Sequence, residues 1–201
     1  MTELEVLLYG LPGLVVAFTF HEYAHALVAT LLGDPTARRL GRLSLNPLVH
    51  IDWIGLLLLF IVHFGWAKPV PVNPGYFRHP RRGMLWVALA GPATNFILAF
   101  ILAWLWIHIP FLQTGGWNVM IQLAIMFNIA LGAFNLIPIP PLDGSRIAAA
   151  FMPESLARRW DQFERYSWII LLLLLVTGVL QPFISAVING LGRLMLRAAG
   201  L

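Results

Sequence analysis

FTFHEYAHALVATLLGD, residues 18–34, sets two histidines and a glutamate inside a run of Phe, Ala, Val and Leu. The apolar character extends from about residue 4 to residue 32 and stops at Gly33-Asp34-Pro35, a helix-ending signal. A bilayer core takes about 20 apolar residues to cross, so the run is long enough for a transmembrane helix. Ionisable side chains within such a helix are costly and point to function before packing.

The rest of the chain is equally apolar. Of 201 residues, 59% are hydrophobic and 11% charged, whereas a soluble domain carries about 25% charged residues. An all-α integral membrane protein is expected, a polytopic helical bundle with about five membrane segments plus a short re-entrant or interfacial element. Residues 1–201 read as one domain. There is no cysteine, which excludes disulfides, a thiol nucleophile and thiolate metal ligands. The N-terminus, MTELE, is acidic and no small-residue cleavage site follows the first apolar run, so a signal peptide is not expected. The pI near 10.1 raises nucleic acid as a partner. Yet the basic residues form no runs interleaved with aromatics, so none is expected.

Further spans are expected near residues 84–109, 117–137 and 166–180, with an amphipathic helix opening at Pro182. Residues 51–65 hold an apolar stretch too short to cross about 30 Å of hydrocarbon. Residues 67–82 are proline-rich and must be irregular. The basic residues sort by loop. Arg38, Arg39 and Arg42 follow the first span, Lys68, Arg78, Arg81 and Arg82 precede the second, and Arg146, Arg158, Arg159 and Arg165 follow the third. The positive-inside rule places these loops in the cytoplasm and the N-terminus outside, in the cell membrane. Residues 51–65 then enter and leave from one face.

His21-Glu22-Tyr23-Ala24-His25 is an HExxH sequence. On a helix, residues i and i+4 share a face, so both imidazoles can reach one ion while the glutamate beside them can act as a base. The pair lies on the order of 10 to 15 Å from the cytoplasmic end of its helix at 1.5 Å per residue. The competing reading is histidines hydrogen-bonded to neighbouring helices.

A catalytic zinc takes three protein ligands and leaves one position open. Of the four aspartates, Asp34 ends the first helix, Asp52 lies in a loop and Asp161 sits among charged residues. Asp143, in NLIPIPPLDGSR, follows a span broken by Pro138, Pro140 and Pro141, whose rings free backbone groups at the membrane edge. It is either a ligand or the cap of a helix starting near Gly144.

HEYAH in the first span, AGPATN (residues 90–95) and FNLIPIPPLDG (residues 134–144) together resemble the three signatures of the site-2 protease family of intramembrane zinc metalloproteases. The resemblance runs over most of the chain, in the family's order, and is to the short members without a PDZ or nucleotide-sensing domain. It implies a metalloendopeptidase with one Zn²⁺ per chain, held by His21, His25 and Asp143, with Glu22 as the catalytic residue. It also implies that Asn135 helps hold the substrate backbone and that Asn95, in the GPxxN element, acts on substrate as well.

The expected reaction is hydrolysis of peptide bonds in transmembrane or membrane-anchored protein substrates by zinc-activated water, Glu22 being the general base. Two alternatives stand beside it, a zinc transporter and a catalytically inactive membrane scaffold. The other histidines (His50, His63, His79, His108) read as interfacial and the tryptophans at segment ends as membrane anchors. The serines carry no nucleophile signature.

Overall fold

The structure is a computed structural model that describes residues 2–62 and 65–200, apart from the side chains at 3, 4, 59–62, 158, 161, 164 and 165. His63, and the side chain of Asp161, therefore lie outside what is described.

Every element longer than a turn is helical among the described residues. The first helix, α1 (Glu3–Leu31), opens on a capping box in which Thr2 Oγ1 accepts from the Glu5 N–H and Glu5 Oε2 accepts from the Thr2 N–H. A single turn, α2 (Thr36–Arg39), follows, then α3 (Trp53–Val62), α4 (Pro80–His108) and α5 (Gly115–Asn135). The chain ends with α6 (Asp143–Phe151), α7 (Glu154–Val176) and α8 (Gln181–Ala199).

Helices α1, α4 and α5 pack on one another, α6 lies against α4, and α8 covers α4 and α5. The seams are made by small residues: Ala17, Ala99 and Ala103 have no exposed surface and Ala124 only 8%. Small side chains let backbones approach where lipid offers no hydrophobic drive to association. Large apolar side chains point outward instead, among them Trp86, Ile97, Ile169 and Val176.

Among the described residues, three helices are long and apolar enough to cross a membrane: residues 5–31 of α1, α4 and α5. A fourth span exists only if residues 166–176 and α8, bent by 76° at their break, are counted as one. The fold is thus a helical membrane bundle with three to four candidate spans among the described residues, and the expected count of about five is not confirmed. The reason lies in residues 166–180, where the helix stops at Val176 and Gly178 turns the chain with φ +70°. The apolar part of α7 is left too short to cross alone.

Helix α3 is also short, 10 residues, or about 15 Å at 1.5 Å per residue. Its flanks meet: Ile51 pairs antiparallel with Ala67, and the Lys68 N–H donates to His50 O at 2.8 Å. Residues 51–67 therefore leave and return at one place. Arg42 braces the return, donating to Pro69 O at 3.0 Å and Lys68 O at 2.5 Å.

Candidate metal centre

His21 and His25 are buried on one face of α1, and each ring is held by its Nδ1. His25 Nδ1 donates to Val87 O at 2.7 Å, and a carbonyl can only accept, so a proton sits on Nδ1 and, in the neutral ring, Nε2 carries the lone pair. His21 Nδ1 meets Asn95 Oδ1 at 2.6 Å. The Asn95 amide in turn donates to Ala17 O and to Asn128 Oδ1, both at 3.0 Å. Its oxygen is thereby assigned to His21, which fixes the same tautomer in both rings.

The two Nε2 atoms converge on Asp143 Oδ2, at 3.1 Å from His21 and 3.2 Å from His25. That oxygen is buried and has no hydrogen-bond partner. Ligand atoms bound at about 2.0 Å in a tetrahedron lie about 3.3 Å apart, so these separations suit a zinc-sized ion. Such a set, two neutral imidazoles and one carboxylate, is one of those that catalytic zinc uses. The donor set fits the group. Hydrogen bonds to the far nitrogens of both rings are the usual support of metal-ligating histidines.

Two close approaches of backbone make this possible. Asp143 is the first residue of α6, whose N-cap is Leu142. The turn before it is tight: a Cβ on Gly144 would stand 2.3 Å from Leu136 O. On the opposite side Gly91 faces the rings, and a Cβ there would lie 2.5 Å from His25 Nε2 and 2.6 Å from His21 Nε2. Pro92, buried within α4, has no N–H to give to the preceding turn. Arg81, near the start of α4, donates to Ala149 O and Met152 O at the other end of α6 and so pins that helix.

Glu22 is 9% exposed and follows His21 directly. Its Oε2 accepts from the Val70 N–H at 2.9 Å, so the return strand from α3 lies over it. Arg42, which braces that strand, is drawn below its usual pKa by burial while the Glu22 charge opposes the shift. A permanent positive charge thus stands near the carboxylate.

The remaining expected residues fall in different places. Asn95 is fully buried, and its amide is spent on His21, Ala17 and Asn128. Asn135, at the end of α5, donates to Leu131 O at 3.0 Å, a bond within its own helix. Asp34 accepts from Thr36 and Asn73, and Asp52 caps α3 through the Ile54 and Gly55 N–H groups. Asn128, fully buried in α5, escapes the sequence motifs altogether. Its signal was an asparagine flanked by apolar residues, LAIMF before it and IALGAF after it.

Residues 107–178 match the model of peptidase family M50. The chain is 40% identical over 194 residues to "Putative zinc metalloprotease YwhC" of Bacillus subtilis (strain 168), covering 91% of this chain and 89% of that protein. It is 28% identical to the Rip2 proteins of Mycolicibacterium smegmatis and Mycobacterium tuberculosis, named in the same way, with 70% of each covered. No solved structure matches. With a relative this similar over nearly its whole length, the chain belongs to peptidase family M50, the site-2 protease family of zinc metalloproteases.

Proposed function

We propose that the protein cleaves peptide bonds of membrane-embedded or membrane-anchored protein substrates, with His21, His25 and Asp143 holding one zinc ion and Glu22 acting as general base. The observation that carries this reading is the meeting of both Nε2 atoms with a buried, otherwise unpaired carboxylate oxygen, with Glu22 next to His21 in the sequence. A bound zinc ion would supply Lewis-acid activation of a water molecule and of the scissile carbonyl.

The chain's own residues do the rest. Glu22 takes a proton from the attacking water and returns it to the leaving amine, its carboxylate aimed by the Val70 N–H. Asn95 acts through His21, whose ring it holds. A helical substrate has its carbonyls tied in i to i−4 bonds and must unwind before attack. Asn135, beside the proline-broken turn after α5, is the residue we assign to hold the unwound backbone. The setting is the cell membrane, with the N-terminus of α1 outside.

A transport role would need further ligand sets along a path, and the described residues offer a single cluster of His, Asp or Glu at metal-site distance. The test is cleavage of a panel of single-span substrates by purified protein, with zinc content measured in parallel. Glu22→Gln is expected to keep its zinc and to lose activity by about 10²- to 10⁴-fold. Asp143→Ala is expected to lose both. Undiminished cleavage by Glu22→Gln would overturn the assignment.

A further inference from the structure

A hollow of about 220 Å³ lies along α1, one helical turn from Glu22. Leu14, Val15 and Phe18 of α1 form one wall, and Leu56 of α3 with His50 and Trp66, from the limbs on either side of that helix, forms the other. Val15, Phe18 and Glu22 recur at helical spacing and share a face of α1. On the opposite wall, Val70 follows Trp66 by four residues and holds Glu22 through its N–H. The hollow and the candidate metal centre are therefore neighbours along both walls.

Apart from the indole N–H of Trp66, the lining is apolar except for three side chains, and two of those are satisfied. Thr19 Oγ1 donates to Val15 O at 2.7 Å, and Asp52 Oδ1 accepts the α3 N–H groups at 3.0 Å. The third is His50, a ring 2% exposed. Its Nε2 donates to Ser44 O at 2.7 Å, which leaves Nδ1 as an acceptor, and Nδ1 is buried with no partner, so an occupant of the hollow reaches it only by displacing a neighbouring wall side chain. A buried acceptor without a donor is unfavourable until a ligand supplies one. An apolar cavity of about 150 Å³ already admits benzene, so this one has room for a larger aromatic ring.

We propose that the hollow is a specificity pocket that takes a tryptophan or tyrosine side chain of the substrate, its ring against the apolar walls and its N–H or O–H donating to His50 Nδ1. One turn of helix is about 5.4 Å and an extended chain advances about 3.3 Å per residue, so the side chain belongs to a residue within about two positions of the scissile bond. The inference rests on the proteolytic reading above.

Binding is tested apart from cleavage. Purified, zinc-loaded protein carrying ¹⁵N-labelled histidine is titrated with indole and with benzofuran, its counterpart lacking the N–H. Indole is expected to move the His50 Nδ1 resonance and to bind roughly fivefold more tightly, the value of one net hydrogen bond. Leu14→Trp, or Val15→Phe should the first fail to fold, fills the hollow and abolishes both effects. Equal affinity for the two compounds, or an unmoved Nδ1 resonance, overturns the pocket and points to an occupant such as a lipid chain.

Cleavage is then compared for substrates differing only in Trp, Tyr, Phe or Ala at positions flanking the mapped bond. At one position kcat/KM is expected to be highest for Trp or Tyr, and the filled variant loses that preference. No preference at any position overturns the proposal. Selective indole binding without cleavage of any substrate overturns instead the proteolytic reading, and with it the assignment of a substrate to the pocket.

Discussion

Asn95 Oδ1 stands 2.6 Å from His21 Nδ1, and the amide nitrogen of the same side chain reaches Ala17 O and Asn128 Oδ1. Three helices thus converge on one imidazole: α1 carries it, α4 brings Asn95 and α5 brings Asn128. All the polar atoms involved are buried, so any one left unpaired carries its full desolvation cost.

Asn95→Leu, close in volume, is expected to weaken zinc binding by about 10- to 100-fold, as for other groups that orient ligating histidines. Competition against a chromophoric chelator measures it. Asn128→Leu should act in the same direction but less, because it frees one Asn95 donor without touching the ring. Wild-type zinc affinity in Asn95→Leu would show that the network only packs the helices.

Gly91→Ala places a methyl where both imidazole Nε2 atoms already stand within 2.6 Å of the new carbon. The rings cannot turn aside cheaply, since Val87 O and Asn95 hold their other nitrogens. Overpacking typically costs about 1 to 3 kcal/mol, which falling on the metal site would weaken zinc by about 5- to 150-fold. Helix content by circular dichroism should be unchanged. Full zinc occupancy in this variant would mean that α4 can shift away from the rings.

What could be read from the sequence follows from how local each feature is. His21 and His25 stand four residues apart on one helix, so their shared face needs no tertiary knowledge. The prolines before Asp143 marked a break, but that its carboxylate meets the histidines depends on α6 lying against α4, which spacing cannot show. The resemblance pointed to Asn95 but not to its partners, which lie 74, 78 and 33 residues away in sequence and are brought together only by folding. Helix ends were misplaced for a related reason. Residues 154–165 are charged and residues 166–176 apolar, yet both form one helix, α7, because hydropathy reports the surroundings of a helix and not its hydrogen bonding.

Asp34 gives a pH dependence outside the spans. Burial by itself would raise its carboxyl, but the Thr36 hydroxyl and the Asn73 and Thr36 N–H groups outweigh burial and hold the pKa below the ordinary value. A depressed folded pKa stabilises fully above the unfolded value of about 3.9, and the contribution is lost as pH falls toward the folded one. Asp34→Asn, which turns an acceptor into a donor, should therefore melt earlier than wild type between pH 5 and 8, with the gap closing below about pH 4. Both proteins are compared with chelator present, so that metal release in acid does not contribute. A gap that persists undiminished to pH 2 would remove Asp34 as the source.

The last expectation concerns the excursion that carries α3. Ile51 pairs with Ala67, and His50 O accepts from the Lys68 N–H, so the segment departs from and returns to one point. Ten helical residues between these limbs cover about half of a bilayer core of about 30 Å. Helices α1 and α4, each long enough to cross, then place the exposed Arg39 and Arg78 on one face and Thr114, between α4 and α5, on the other. The chain has no cysteine, so Arg39→Cys, Arg78→Cys and Thr114→Cys each introduce a single thiol. Membrane-impermeant maleimide should reach the first two from the same side and the third only from the opposite one. If the labels at 39 and 78 come from opposite sides, residues 51–67 span the membrane, the antiparallel return at Ala67 is wrong, and the wall that His50 and Trp66 build against α1 goes with it.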